Sequence, residues 1–273
     1  MKNILIPTDF SECAENALYM ASSIASKVNA KLHLVYTLNM SDSILLDAEN
    51  DAVKAAPYIR AMEKKFEEYV NKPYLKNVDV NYSVRQGSIQ QEIEDVIDEV
   101  SADLIVMGSH GIDGFQEYFI GSTTQKVVRN SKVPVMVIKK KMEGFSIEKA
   151  VFVCDFTEEN KKSYKAAKSF FNMLDIEMRL LYVNTPGAFN NSTEMNKKFE
   201  TFFEKIDDEG SLKVNVINDY NVEDGIAAYC KLEGADFIGI PTHGRKGLSH
   251  FFSGSLGENV VNHSKYPVIT FKI

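Results

Sequence analysis

The feature that most restricts the fold is an internal repeat. Ile4-Leu5-Ile6-Pro7-Thr8-Asp9-Phe10-Ser11 has a counterpart in Val151-Phe152-Val153-Cys154-Asp155-Phe156-Thr157. Each is a short apolar run followed by Asp-Phe-Ser/Thr, which reads as a strand leading into a helix N-cap. A second match lies further on. Gly108-Ser109-His110-Gly111 is followed, after nine intervening residues, by Gly121-Ser122-Thr123, and Pro241-Thr242-His243-Gly244 is followed at the same spacing by Gly254-Ser255-Leu256. Each copy closes on a Pro-led apolar strand, Val133-Pro134-Val135-Met136-Val137-Ile138 and Tyr266-Pro267-Val268-Ile269-Thr270-Phe271. A repeat of this order and spacing makes the chain a tandem of two similar domains. The expected bounds are 1–140 and 147–273, and 273 residues suffice for two cores of ordinary size.

Within each copy the hydrophobic pattern alternates between strand and helix. Strands are expected near 3–7, 32–37, 78–84, 103–107 and 134–138, with helices near 12–28, 50–70, 89–100 and 121–131. Ile89, Ile93, Val96, Ile97 and Val100 recur at the spacing of an amphipathic helix. The second copy repeats the strands near 150–154, 178–183, 212–217, 236–240 and 267–272. The strands are nearly continuous apolar runs, as they are when helices cover both faces of a parallel sheet. The fold expected is α/β, two tandem doubly wound domains of five parallel strands each. The least patterned stretches, 39–57 and 185–195, follow the second strand of each copy and are placed to cover a ligand.

Composition narrows the function classes. Lys and Arg number 31 against 38 Asp and Glu, a net charge of -7. No concentrated basic patch of the kind a nucleic-acid backbone demands is evident, so no nucleic-acid partner is expected. A single nucleotide needs only a few backbone N–H groups and is not excluded. Cys13, Cys154 and Cys230 show neither metal spacing nor a disulfide framework. No apolar stretch suits a signal peptide or a bilayer span, so no membrane partner is expected and the cytoplasm is the default location.

In an open parallel sheet, ligands bind beyond the carboxyl ends of the strands where the strand order reverses. If the first and fourth strands flank that reversal, Pro7-Thr8-Asp9 meets Gly108-Ser109-His110-Gly111 there. Glycines permit close backbone approach, and Gly121-Ser122-Thr123 opens a helix whose free N–H groups and dipole favour an anion. Asp9 is placed to accept from ribose hydroxyls. His110 and His243, equivalent between copies, lack metal-ligand partners at useful spacing and read as loop donors near phosphate. No P-loop is present, because Lys246 arrives one residue late after Gly239 and Gly244 and no Ser/Thr follows. Neither the acidic Mg²⁺ pocket nor the late lysine of a phospho-accepting receiver domain accompanies Asp9.

The motif Gly-x2-Gly-x9-Gly-Ser/Thr, met in full by Gly108, Gly111, Gly121 and Ser122 and joined by Asp9, resembles the nucleotide-binding motif of the universal stress protein family, and the resemblance covers nearly the whole chain. It implies a strand order of 3-2-1-4-5 and an adenine contact through backbone at the end of the second strand, Thr37 here and Val183 in the second copy. It also implies a bound adenine nucleotide: ATP, with Mg²⁺ accompanying it, or AMP or cyclic AMP. Family members commonly dimerise through the fifth strand, so the two copies are expected to pair within one chain as a pseudo-dimer, with a homodimer as a further form. The second copy departs from the motif where Pro241 replaces the first glycine, and its first loop reads as one residue shorter. Asp155, His243, Gly244, Gly254 and Ser255 remain as its site residues. Two readings stay open: a nucleotide-binding regulator of the stress response without fast catalysis, or an interaction module whose glycine loops are empty. Very slow ATP hydrolysis is a third.

Overall fold

The computed structural model describes residues 1–38, 51–109, 120–139, 148–204, 206, 213–242, 260–261 and 264–273. The first copy runs β1 (Asn3–Pro7), α1 (Glu12–Val28), β2 (Lys31–Leu38), α2 (Asp51–Val70), β3 (Val80–Gln86), α3 (Ile89–Val100), β4 (Leu104–Gly108), α4 (Ser122–Asn130) and β5 (Val135–Ile138). The second runs β6 (Lys149–Val153), α5 (Lys161–Met173), β7 (Glu177–Asn184), α6 (Ser192–Glu204), β8 (Val214–Asn218), α7 (Val222–Glu233), β9 (Phe237–Thr242) and β10 (Val268–Lys272).

Helix α1 shows why these segments fold as they do. Ser11 caps it by accepting the Ala14 N–H at 3.2 Å, and Glu12 and Glu15 place negative charge at its positive end. Asn29 ends it in the left-handed conformation, φ 53°. Its buried face is rich in small residues, Ala14, Ala17, Ala21 and Ala25, with Leu18 and Ile24. Such a face allows the helix axis to approach the sheet closely. Helix α3 buries Ile93, Val96 and Ile97, the middle of the stripe its periodicity marks.

The strands lie in the order β3-β2-β1-β4-β5 within the first copy and β8-β7-β6-β9-β10 within the second; β1–β2, β2–β3, β1–β4 and all four pairs of the second copy are parallel. Both read 3-2-1-4-5. The central strands are buried along their length, including Ile4, Leu5 and Ile6 in the first copy and Val151 and Phe152 in the second. Strands β3 and β8 are more open to solvent.

Register makes the repeat exact to the hydrogen bond over the first strand and its loop, each residue matching the one 146 positions later, Asn3 with Lys149. Thr8 N–H donates to the Val35 carbonyl at 2.9 Å, and Cys154 N–H to the Leu181 carbonyl at 3.1 Å. Phe10 N–H donates to Thr8 Oγ1 at 3.0 Å, and Phe156 N–H to Cys154 Sγ at 3.2 Å. This corrects the reading of a shorter first loop. The loops are equal in length, and Cys154 stands where the first copy has Thr8, its sulfur accepting the same N–H.

Contacts group the chain into two compact units. One holds Met1–Phe115, Gly121–Val127 and Val137–Met142; the other holds Gln116–Ile120, Val128–Met136 and Glu143–Ile273. The second unit thus includes part of the first repeat. Within it, Thr270 Oγ1 donates to the Val135 carbonyl at 3.3 Å and Lys272 Nζ to the Arg129 carbonyl at 2.7 Å. Among the described residues, no helix is long and apolar enough to cross a membrane.

Candidate functional site

Strand β1 lies between β2 and β4, so the chain leaves it in one direction to form β2 and returns on its other side as β4. The carboxyl ends of β1 and β4 therefore flank the reversal of strand order, where an open sheet offers a crevice. Pro7 ends β1, and Thr8 and Asp9 follow it; Gly108 ends β4. Asp9 is half-buried, and its Oδ1 accepts the Ser11 N–H at 2.9 Å, which turns the chain into α1.

Between them Phe10 adopts φ 62°, as its counterpart Phe156 adopts φ 56°. A bulky residue in the left-handed region is strained, by about 1–2 kcal/mol. Aromatic packing holds it there. Phe10 lies 4.8 Å from Phe66 and 5.1 Å from Tyr69 between ring centres, both edge-on, and Phe156 lies 4.8 Å from Phe199 and 5.2 Å from Phe202. The Asp-Phe-Ser/Thr motif is thus a strained turn, locked by its ring, that presents the aspartate at the end of the strand.

Gly121 precedes α4 and is tied to the end of β4. Its N–H donates to the Ser109 carbonyl at 2.7 Å, and its carbonyl accepts the Gln125 N–H at 3.1 Å. Thr124, which sequence reasoning passed over, is buried and donates from Oγ1 to the Gly108 carbonyl at 3.0 Å. Its position two residues beyond the motif serine was the available signal. Together these bonds aim the first turn of a nine-residue helix, with Ser122 and Thr123, over the end of β4. The first N–H groups of a helix have no intrahelical partner, and the helix dipole makes that end positive.

Gly108 has a packing role that its place in the motif did not announce. A Cβ there would lie 2.7 Å from the Cys13 carbonyl carbon and 2.8 Å from its oxygen, so only glycine lets α1 sit this close. Thr37 is the next-to-last residue of β2, paired with Arg85, and Val183 is its equivalent in β7, paired with Ile217. Val183 is buried against Gly225 of α7. His110, Gly111, His243, Gly244, Gly254 and Ser255 lie outside the described residues.

The second copy differs at its first turn. Thr157 is followed by a 3-10 turn, Glu158–Asn160, before α5 begins, whereas α1 begins directly after Ser11. Asp155 is buried, and its Oδ1 accepts from Thr157 N–H at 3.1 Å, from Thr157 Oγ1 at 2.9 Å and from Asn160 Nδ2. Burial pushes the Cys154 thiol well above its ordinary value, and the Cys230 thiol up to about 12. Beside the first site, burial lowers the Lys139 ammonium to about 8. The stretch 185–195, expected as a loose cover, is instead structured. Pro186–Ala188 forms a 3-10 turn, Asn184 Oδ1 accepts the Asn190 N–H at 2.9 Å, and Asn191 and Glu194 cap α6 reciprocally. Of the other such stretch, 39–50 lies outside the described residues, and from Asp51 the backbone is helical.

The family model for the universal stress protein family matches residues 1–139 and again 146–272. The chain belongs to that family. A universal stress protein of Methanocaldococcus jannaschii is 29% identical over 140 residues, spanning 51% of this chain and 82% of the relative. Another, from Synechocystis sp., is 22% identical over 293 residues and spans 100% of both chains, so it shares the length of a tandem universal stress protein. The crystal structure of a universal stress protein from Archaeoglobus fulgidus superposes with a TM-score of 0.74 at 22% identity, covering 99% of this chain and 98% of that one. This likeness shows the fold.

Proposed function

We propose that this universal stress protein binds an adenine nucleotide, ATP foremost, at the switch point of its first copy, and holds it as a regulatory ligand without rapid turnover. One observation carries the reading: Gly121 and Thr124 bind the first turn of α4 to the carboxyl end of β4, next to the strand that leads into Thr8 and Asp9. That brings an anion-attracting helix end and a half-buried carboxylate to the two sides of one crevice. Phosphate oxygens accept from the backbone N–H and hydroxyl groups of Ser122 and Thr123, while Gly121, its N–H held by the Ser109 carbonyl, leaves room for their approach. Asp9 accepts from the ribose, and the Thr37 backbone meets the adenine.

The donors are arranged for ground-state phosphate oxygens, and binding of that kind does not by itself accelerate chemistry. The two copies pair through β5 and β10, in keeping with the inclusion of Val128–Met136 in the second compact unit. The protein works in the cytoplasm as a ligand-gated interaction module.

The test joins thermal unfolding with phosphate release on one preparation. ATP raises the melting temperature progressively with concentration, through linkage, and Asp9→Ala diminishes that rise while phosphate release stays negligible in both proteins. Many turnovers per minute, lost in Asp9→Ala while binding persists, would make the protein an ATPase.

A further inference from the structure

The two copies differ at one buried position in a way that bears on which of them takes a ligand. At the register of 146 residues, Asn160 stands where the first copy has Ala14. Asn160 is 1% exposed and donates from Nδ2 to Asp155 Oδ1 and, at 3.1 Å, to Thr157 Oγ1. Thr157 adds its N–H and its hydroxyl to the same carboxylate oxygen. An ionised carboxylate oxygen offers about two lone-pair directions, so three donors saturate Oδ1. Asp155 is only 7% exposed.

The orientation of the Asn160 amide is set by charge. Turned over, it would press its carbonyl oxygen against the carboxylate. As it stands, its Oδ1 is buried with no hydrogen-bond partner, an unfavourable arrangement retained for the sake of the bond to Asp155. The first copy keeps only part of this. The Ser11 N–H donates to Asp9 Oδ1 at 2.9 Å as the Thr157 N–H does to Asp155, but Ala14 has no polar side chain, the Ser11 hydroxyl caps α1 by accepting the Ala14 N–H, and Asp9 is half-buried.

We infer that Asn160 is an internal latch: its amide, with Thr157, takes the place of a ribose diol on Asp155 and makes the second copy a closed nucleotide site. The inference rests on the reading of the first copy as a nucleotide site. It makes binding one-sided for a reason other than the Pro241 substitution, and it makes the closed state reversible by a single change. Alanine is the residue that the equivalent position already carries, so Asn160→Ala is the least disruptive way to open the latch.

The test is equilibrium dialysis of the full chain against labelled ATP with Mg²⁺, counting nucleotides per chain. The wild type binds one, Asn160→Ala binds two, and the added site disappears in Asn160→Ala/Asp155→Ala. One nucleotide in both wild type and Asn160→Ala overturns the latch, and so do two in the wild type. None in the wild type with one in Asn160→Ala keeps the latch and refutes the first-copy reading, whereas none in either refutes both. Should Asn160→Ala not fold, the converse change Ala14→Asn brings the amide to Asp9 and weakens the first site at least tenfold; an unchanged affinity there overturns the latch.

Discussion

Gly108 shows how one residue answers to two demands. The nucleotide motif asks for glycine so that a phosphate can approach, while the packing asks for it because the Cys13 backbone already occupies the space of a Cβ. These demands separate experimentally. Gly108→Ala places a methyl 2.7 Å from a backbone carbonyl carbon, and backbone cannot swing aside as a flexible side chain can. Overpacking of this kind costs about 1–3 kcal/mol, so denaturant unfolding without nucleotide should show a loss of that size. Unchanged stability would mean that α1 yields freely and that the glycine serves the ligand alone. The same scale explains what was hidden in the sequence. Counted by apolar similarity, Cys154-Asp155 looked one residue short of Pro7-Thr8-Asp9, because cysteine and threonine do not resemble each other in composition. Hydrogen-bond register shows that the sulfur accepts the Phe156 N–H as the Thr8 hydroxyl accepts that of Phe10. Asn160 was hidden for another reason. It falls in what reads as an ordinary first helical turn, and its meaning emerges only when it is set against Ala14.

At the scale of elements, the strands and helices were legible because their apolar periods are strong and their caps are explicit. The ends moved by a residue or two, as with α4, which begins at Ser122 and ends at Asn130. How α4 is held was not legible, since it depends on a hydroxyl reaching a carbonyl sixteen residues away. Thr124→Val keeps the shape of the side chain but leaves the Gly108 carbonyl without that donor. A buried acceptor left unpaired costs about 1–3 kcal/mol. We expect the melting temperature to fall and ATP affinity to fall with it, because the helix end and the β4 loop lose their shared anchor. Lower stability with unaltered affinity for ATP would show that α4 does not position the phosphate.

At the scale of the molecule, the tandem repeat sets the architecture. Each copy repeats the same sheet order and the same turn before its last strand, where Ser131 and Ser264 donate to the Val133 and Tyr266 carbonyls. Duplication gives two switch points built on one plan, and the residues at the first turn give them different surroundings: one carboxylate half-buried, the other buried and bonded by Thr157 and Asn160. The first of these, at the head of α4, is the one proposed to hold an adenine nucleotide. Calorimetric titration of the full chain with ATP, in the wild type and in Gly121→Val, tests it most directly. A valine side chain at the mouth of α4 fills the space that a phosphate needs while most of the fold is retained. Saturable heat is expected in the wild type and none in Gly121→Val, with both proteins unfolding cooperatively. Equal heats in the two proteins, or no heat in the wild type, would contradict it.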